Sequence, residues 1–158
     1  MVHSETPLSC VTLGVGNDRF AVEVQSVREI LDNSRPVAHL PNGPSFLCGV
    51  IDVRGCTVPV IDLRVKLGLQ ATPVTDDTRI LVLDLTIEKR ALVIGLRVDR
   101  VFEVAEFAVE SLNAVPDIGV RWDSAYIKGI GRLHGGFVAI FDMQHLFNTH
   151  DMAGIQAQ

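Results

Sequence analysis

No stretch of this chain is long and apolar enough to cross a bilayer. The longest fully apolar runs, such as Ile80-Leu81-Val82-Leu83, span a few residues, against the roughly 20 that a membrane-spanning helix needs. Basic clusters are also missing: Lys and Arg never run beyond two in succession, and the net charge is −5. Phosphate backbones and anionic lipid surfaces both call for a basic face, so neither nucleic acid nor direct membrane insertion is expected. The opening Met1-Val2-His3-Ser4-Glu5 lacks the basic and apolar regions of a secretory leader, and a cytoplasmic protein is expected. Cysteine is scarce: Cys10, Cys48 and Cys56 are odd in number and form no CxxC pair. That pattern supports neither a disulfide framework nor structural zinc.

Catalytic signatures are missing too. The five histidines form no HxxxH or HExxH pattern, and no Gly-x-Ser-x-Gly elbow occurs. His134 stands beside Gly135-Gly136 and reads as an exposed turn residue, and His145 as a surface or rim residue of a short helical turn. Gly14-x-Gly16 and Gly129-x-Gly131 lack the other residues of a phosphate loop and read as turn glycines. Asp76-Asp77 lies in a Pro/Thr-rich loop and reads as a solvated turn. Asp62 and Asp142 each end a strand before a helical turn, a position that suits an N-cap. No metal or cofactor is expected.

What is present is β pattern. Hydrophobic residues make up 47% of 158 residues, enough for one domain or two small barrels sharing a core. Phe20 to Gln25 alternates apolar and polar, the period of a half-buried strand. Ile80 to Leu85 is almost wholly apolar and should be buried on both faces. Ala91 to Val98 continues as a strand, with Gly95 a candidate bulge, and Phe137 to Phe141 is the last clear one. Thr57 to Ile61 is β-rich, with Pro59 pointing to an edge or bulge. Turn clusters occur at Gly16-Asn17-Asp18, at Pro41 to Pro44 and from Pro73 to Thr78. Short helices are predicted over Leu63 to Leu67, ended by Gly68, and over Met143 to Phe147. The tail after His150 is expected to fray.

The chain repeats itself. Phe20-x-Val22-x-Val24-x-x-Val27-x-Glu29-Ile30 returns as Ile94-x-Leu96-x-Val98-x-x-Val101-x-Glu103-Val104, 74 residues on. Phe46, Gly49, Gly55 and Asp62-Leu63 return as Tyr126, Gly129, Gly135 and Asp142-Met143, 80 residues on. Any two hairpins share alternation, but alternation does not demand Val-x-Glu-Ile/Val, so duplication is favoured. The expected architecture is all-β: two similar small barrels, one per copy, packed side by side, with short helical turns.

The segment from Gly49 to Arg64 stands out. Two glycines, Gly49 and Gly55, bracket a short piece ending in Arg54, and an apolar strand follows. Gly55 permits a tight turn that holds Arg54 at its edge. The guanidinium either pairs within the fold or serves as an interaction anchor, a role in which Arg is enriched.

Here the sequence resembles the CheW family of chemotaxis coupling proteins. The resemblance rests on Gly49-x-x-x-x-Arg54-Gly55-x-x-x-Pro59-Val60-Ile61-Asp62-Leu63-Arg64, on Phe20 to Leu31, and on Val98-Asp99-x-Val101-x-Glu103-Val104. It rests also on Tyr126-Ile127-x-Gly129-Ile130 and on Ile140-x-Asp142-x-x-x-Leu146-Phe147. It implies two SH3-like five-stranded barrels in one domain over 9–150, between flexible termini 1–8 and 151–158. It also implies a non-catalytic, cofactor-free adaptor joining the regulatory domain of a CheA-type histidine kinase to the cytoplasmic tip of a methyl-accepting chemoreceptor at inner-membrane arrays. Other CheW-like proteins are further candidate partners.

By position, Val27 and Glu29 match residues implicated in kinase or receptor contacts. Gly49, Asp52, Val53 and Arg54 match the receptor-coupling loop, with Val27, Val53 and Arg54 expected in a receptor groove. Asp52 stands where the family often has Asn, and an ion pair with Arg54 is expected from it. Three alternatives stay open. One is an adaptor of the same fold serving pili, surface sensing or second-messenger output. Another is a scaffold that assembles into rings. The third is a small β-barrel enzyme using Cys48, Cys56 and His134, the two cysteines flanking a hairpin within reach of each other; as plain structural residues both would be buried small hydrophobes.

Overall fold

The structure, a computed structural model, describes residues 7–114 and 124–147. The tail expected to fray and residues 1–6 lie outside the described residues, whereas Leu8 already begins the first strand. The strands are β1 (Leu8–Val15), β2 (Asp18–Glu23), β3 (Val27–Leu31), β4 (Leu47–Val53), β5 (Cys56–Asp62), β6 (Arg79–Ile87), β7 (Arg90–Val98), β8 (Arg100–Phe107), β9 (Ile127–Leu133) and β10 (Gly136–Phe141). Two one-turn helices, α1 (Leu63–Lys66) and α2 (Met143–Leu146), follow β5 and β10. Each begins on the predicted N-cap. Asp62 accepts the Arg64 N–H at 2.9 Å, and Asp142 accepts those of Gln144 and His145 at 3.1 and 3.3 Å. Gly68 ends α1 with φ 85°, the left-handed conformation that glycine adopts without penalty.

The strands form two five-stranded sheets, in the orders β8-β1-β2-β10-β9 and β3-β6-β7-β5-β4. Each sheet closes on itself. The chain leaving β3 bridges back to β4 at Ala38–Val50, and the chain leaving β8 bridges to β9 at Asn113–Ile130. Both bridges carry reciprocal N–H to carbonyl bonds of 2.8–3.0 Å. Closure leaves few free strand edges for unwanted pairing.

The duplication is real down to the register, but the copies are not one per barrel. The parallel pair Ala21–Ile140 in the first barrel matches Gly95–Val60 in the second. Gly129–Ile140 matches Gly49–Val60, and a register shift falls at the same place in both hairpins. The first copy gives β1 and β2 to the first barrel and β3 to β5 to the second. The second copy gives β6 and β7 to the second barrel and β8 to β10 to the first. Each barrel is therefore assembled from both copies. The chain crosses between barrels after β2, where Val24–Ser26 make a 3-10 turn, and again at Asp99. The alternation predicted through Gln25 thus outruns the strand, which ends at Glu23 because the chain changes barrels there.

The core follows from this exchange. Ile80 and Val82 point into the second barrel, with Leu31, Ile51, Val53, Val58 and Val60. Their neighbours Leu81, Leu83 and Leu85 point the other way, into a larger cluster shared with Val11, Leu13, Phe20 and Val22 of the first barrel and with Leu63, Leu146 and Phe147 around the helices. That is why Ile80 to Leu85 reads as continuously apolar: each face meets a different core. Cys10, Ala21, Phe107, Val138 and Ile140 fill the first barrel.

Two local expectations are corrected. Gly95 is no bulge, since β6 and β7 pair without a register shift from Arg79–Val98 to Ile87–Arg90. Its missing side chain instead lets Ile80 and Val60 close over it. β5 is not an edge strand either, but β7 joins it only from Val60 onward. Pro59, just before that point, lies where no N–H is required.

Candidate functional site

β4 and β5 are joined by the turn Val53-Arg54-Gly55-Cys56. Arg54 has φ 52° and Gly55 φ 84°, and two successive positive values mark the I′ turn whose twist matches a hairpin. An arginine in the left-handed region costs on the order of 1 kcal/mol, and the surroundings hold it there. Its guanidinium meets the Glu29 carboxylate on β3 through two bonds, Nη2 to Oε1 at 3.2 Å and Nε to Oε2 at 3.3 Å. The Arg54 side chain is 77% exposed and that of Glu29 20%, so the pair presents its cation and shelters its anion. Glu29, by hydrogen bond first and charge second, raises the guanidinium above its already high ordinary value. The group carries its charge at every physiological pH.

Beside this pair, the outer surface of β3 carries Arg28, in a bidentate ion pair with Asp84 at 2.7 and 2.9 Å, and an exposed Ile30. Sequence reading passed over Arg28 and Asp84. The available signal was Asp84 itself, a lone charge inside an apolar run.

The other expected site residues separate into contacts and supports. Val27 is half-buried and packs against the shared core. Asp52 is exposed but does not pair with Arg54; its carbonyl accepts from Arg35 Nη1 at 2.9 Å, and Glu29 holds the Arg54 guanidinium instead. Val53 points into the second barrel and is 3% exposed, so it lines no groove. Gly49 is buried under the chain that closes the barrel, where a Cβ would lie 2.2 Å from the Ala38 carbonyl oxygen.

Cys48, Cys56 and His134 are not brought together. Cys48 and Cys56 sit at opposite ends of the β4–β5 hairpin. Val53 faces Cys56, which puts Cys48 five residues up the strand, roughly 16 Å away. Cys48 packs against the second barrel's core, and burial pushes its thiol up to about 11. Cys56, expected to be buried, is exposed, because the hairpin tip carries it beyond the barrel. His134 belongs to the other barrel. Among the described residues no group of three or more His, Cys, Asp or Glu comes together in a metal-binding cluster.

The first barrel repeats the Arg54 arrangement with a different cation. His134 and Gly135 take φ 51° and 78° in the β9–β10 turn, and His134 Nε2 lies 2.8 Å from Glu103 Oε2 on β8. His134 is 80 residues beyond Arg54, and Glu103 is 74 beyond Glu29. Both offsets were in the sequence, yet the pairing across them becomes visible only once the strands exchange.

Paired SH3-like barrels, duplicated, fused through one core and each ending in an ion-paired hairpin tip, define a scaffold class built for surfaces rather than cavities. Within that class the assignment is specific. The model of the CheW-like domain matches residues 9–151, and the chain belongs to that family. It is 30% identical to the chemotaxis protein CheW of Klebsiella aerogenes over 139 residues, 88% of this chain and 81% of that protein. It is 26% identical to the CheW of Rhizobium meliloti over 141 residues, covering 89% and 88%. The crystal structure of the scaffolding protein TtCheW from Thermoanaerobacter tengcongensis superposes with a TM-score of 0.79 at 25% identity, covering 92% of this chain and 96% of that one. The chain is also 31% identical to the protein PilI of Pseudomonas aeruginosa over 99 residues, 63% of this chain and 53% of that protein. It is thus a chemotaxis-type signalling scaffold in family and fold.

Proposed function

We propose that this protein is a non-catalytic cytoplasmic adaptor that couples the cytoplasmic tip of a chemoreceptor to the regulatory domain of a CheA-type histidine kinase. The observation that carries the reading is the Arg54 tip, a permanently charged guanidinium fixed by its own backbone turn and by Glu29 on a family-matched scaffold. Glu29, Asp52, Arg54 and the half-buried Val27 form the contact surface, while Gly49 and Val53 support it from beneath. Arrays of such contacts raise avidity through effective concentration, so each contact need be only micromolar, about −8 kcal/mol.

Co-purification with the kinases and receptors of the protein's own cell tests the reading. Recovery of a CheA-type kinase together with a receptor supports it; recovery of neither, from folded protein, sinks it. Arg54→Ala should weaken the bridged complex about tenfold, as loss of an arginine anchor does. It should change folding stability by less than about 0.5 kcal/mol, as expected of an exposed pair. The similarity to PilI favours a second reading, the same adaptor serving a pilus-type output, and the identity of the co-purified kinase separates the two.

A further inference from the structure

The two hairpin tips share turn geometry and a glutamate partner but differ in what holds that glutamate. Arg54 cannot lose its proton in the physiological range, whereas imidazole changes charge between about pH 5 and 8. Protonated, His134 gives Glu103 a charge-assisted bond. Neutral, it offers at most an ordinary donor, roughly half as strong. The rest of the tip does not take over the role. Around it, β8 carries Arg100, Glu103 and Glu106, β2 begins with Asp18 and Arg19, β9 carries Arg132, and β1 and β10 carry no charge. Arg100 donates to the Gly16 carbonyl at 2.6 Å. Arg19 lies over the Phe102 ring at 4.6 Å and Arg132 over the Phe137 ring at 5.2 Å. Among the described residues, Glu103 is the charged group bonded to His134.

We propose that the His134–Glu103 contact makes the β9–β10 tip a pH-responsive counterpart of the Arg54–Glu29 clasp, ion-paired in mildly acidic conditions and reduced to a neutral hydrogen bond in mildly alkaline ones. The neighbouring Val104, 63% exposed, and Glu103 itself then form a surface whose charge and order follow proton concentration, while the equivalent surface of the other barrel stays constant. This goes beyond the adaptor reading, and its test needs no partner, so the two stand or fall separately.

The test follows the side-chain carboxyl carbons of Glu103 and Glu29 by NMR in the intact chain between about pH 5.5 and 8. The Glu103 signal should shift in step with the His134 ring, and the Glu29 signal should stay flat. His134→Arg, which copies the other tip, should flatten Glu103 as well, and His134→Gln should do the same without adding a charge. Folding of each variant is read from the dispersion of the same spectra. A flat Glu103 in the folded wild-type protein would overturn the proposal, as would a Glu103 shift that persists in folded His134→Gln.

Discussion

Arg54 and His134 show how much one side chain decides when the backbone beneath it is held constant. Both sit in a left-handed position that few long side chains adopt, and both lean on a glutamate from a neighbouring strand. The three cysteines make the complementary point, since the same thiol behaves according to its depth. Burial raises Cys10 to about 12, with the Glu23 carboxylate adding to the rise, and Cys48 to about 11. Thiolate, the reactive form, is thus withheld from both at neutral pH, and Cys56 stands in solvent. A mild alkylating agent at pH 8 should modify one cysteine per folded molecule, Cys56, and reach three only after unfolding; mass spectrometry of the intact protein counts them. Fast labelling of Cys48 in the native state would show that its end of the hairpin opens. At this scale the sequence was informative about Arg54, whose glycine neighbour predicts the turn. It was silent about Asp52 and Cys56, because pairing and exposure at a hairpin tip depend on which strand lies alongside.

At the level of elements, the bridges that close each barrel carry more consequence than their length suggests. Ala38 reaches β4 only because Gly49 has no side chain; its φ of +147° and the 2.2 Å approach leave no room for one. The equivalent Gly129 is less constrained, since a Cβ there would meet the movable Leu112 side chain at 3.0 Å. Gly49→Ala should therefore destabilise the protein by about 3 kcal/mol and Gly129→Ala by about 1 kcal/mol, the range of overpacking in a closed core. Urea unfolding measures both, and equal costs would contradict the asymmetry. Helices and hairpins were legible here, because N-cap aspartates, Gly68 and the I′ turn residues act within a few positions of one another. The bulge expected at Gly95 was misread because a glycine in a strand has two uses, and only the approach of Ile80 and Val60 distinguishes them.

For the whole molecule, the exchange of strands between copies is the property that no local pattern announces. Repeats at offsets of 74 and 80 residues reveal two copies, but not that each copy splits its strands between two barrels. The continuous apolar run in β6 hints at it, since a strand buried on both faces needs two cores. Cleavage in the Pro73–Thr78 loop separates the copies without cutting a strand. Either fragment, while monomeric, should lack a cooperative thermal transition by circular dichroism, and mixing the two should restore it. A fragment that melts cooperatively by itself would mean that one copy closes its own barrel. In the intact chain both barrels should unfold together, because their largest cluster of buried side chains belongs to both.

That shared cluster also sets a direction. No flexible linker separates the barrels, so the angle between the two tips is stored in side chains such as Leu83 and Phe20, buried and far from either tip. Close-packed interiors transmit small displacements rather than absorbing them. A change in volume beneath the barrels acts on the tips as a short movement at a pivot acts on the ends of two long arms. The heading at which this protein holds its neighbours is written in residues that no neighbour touches.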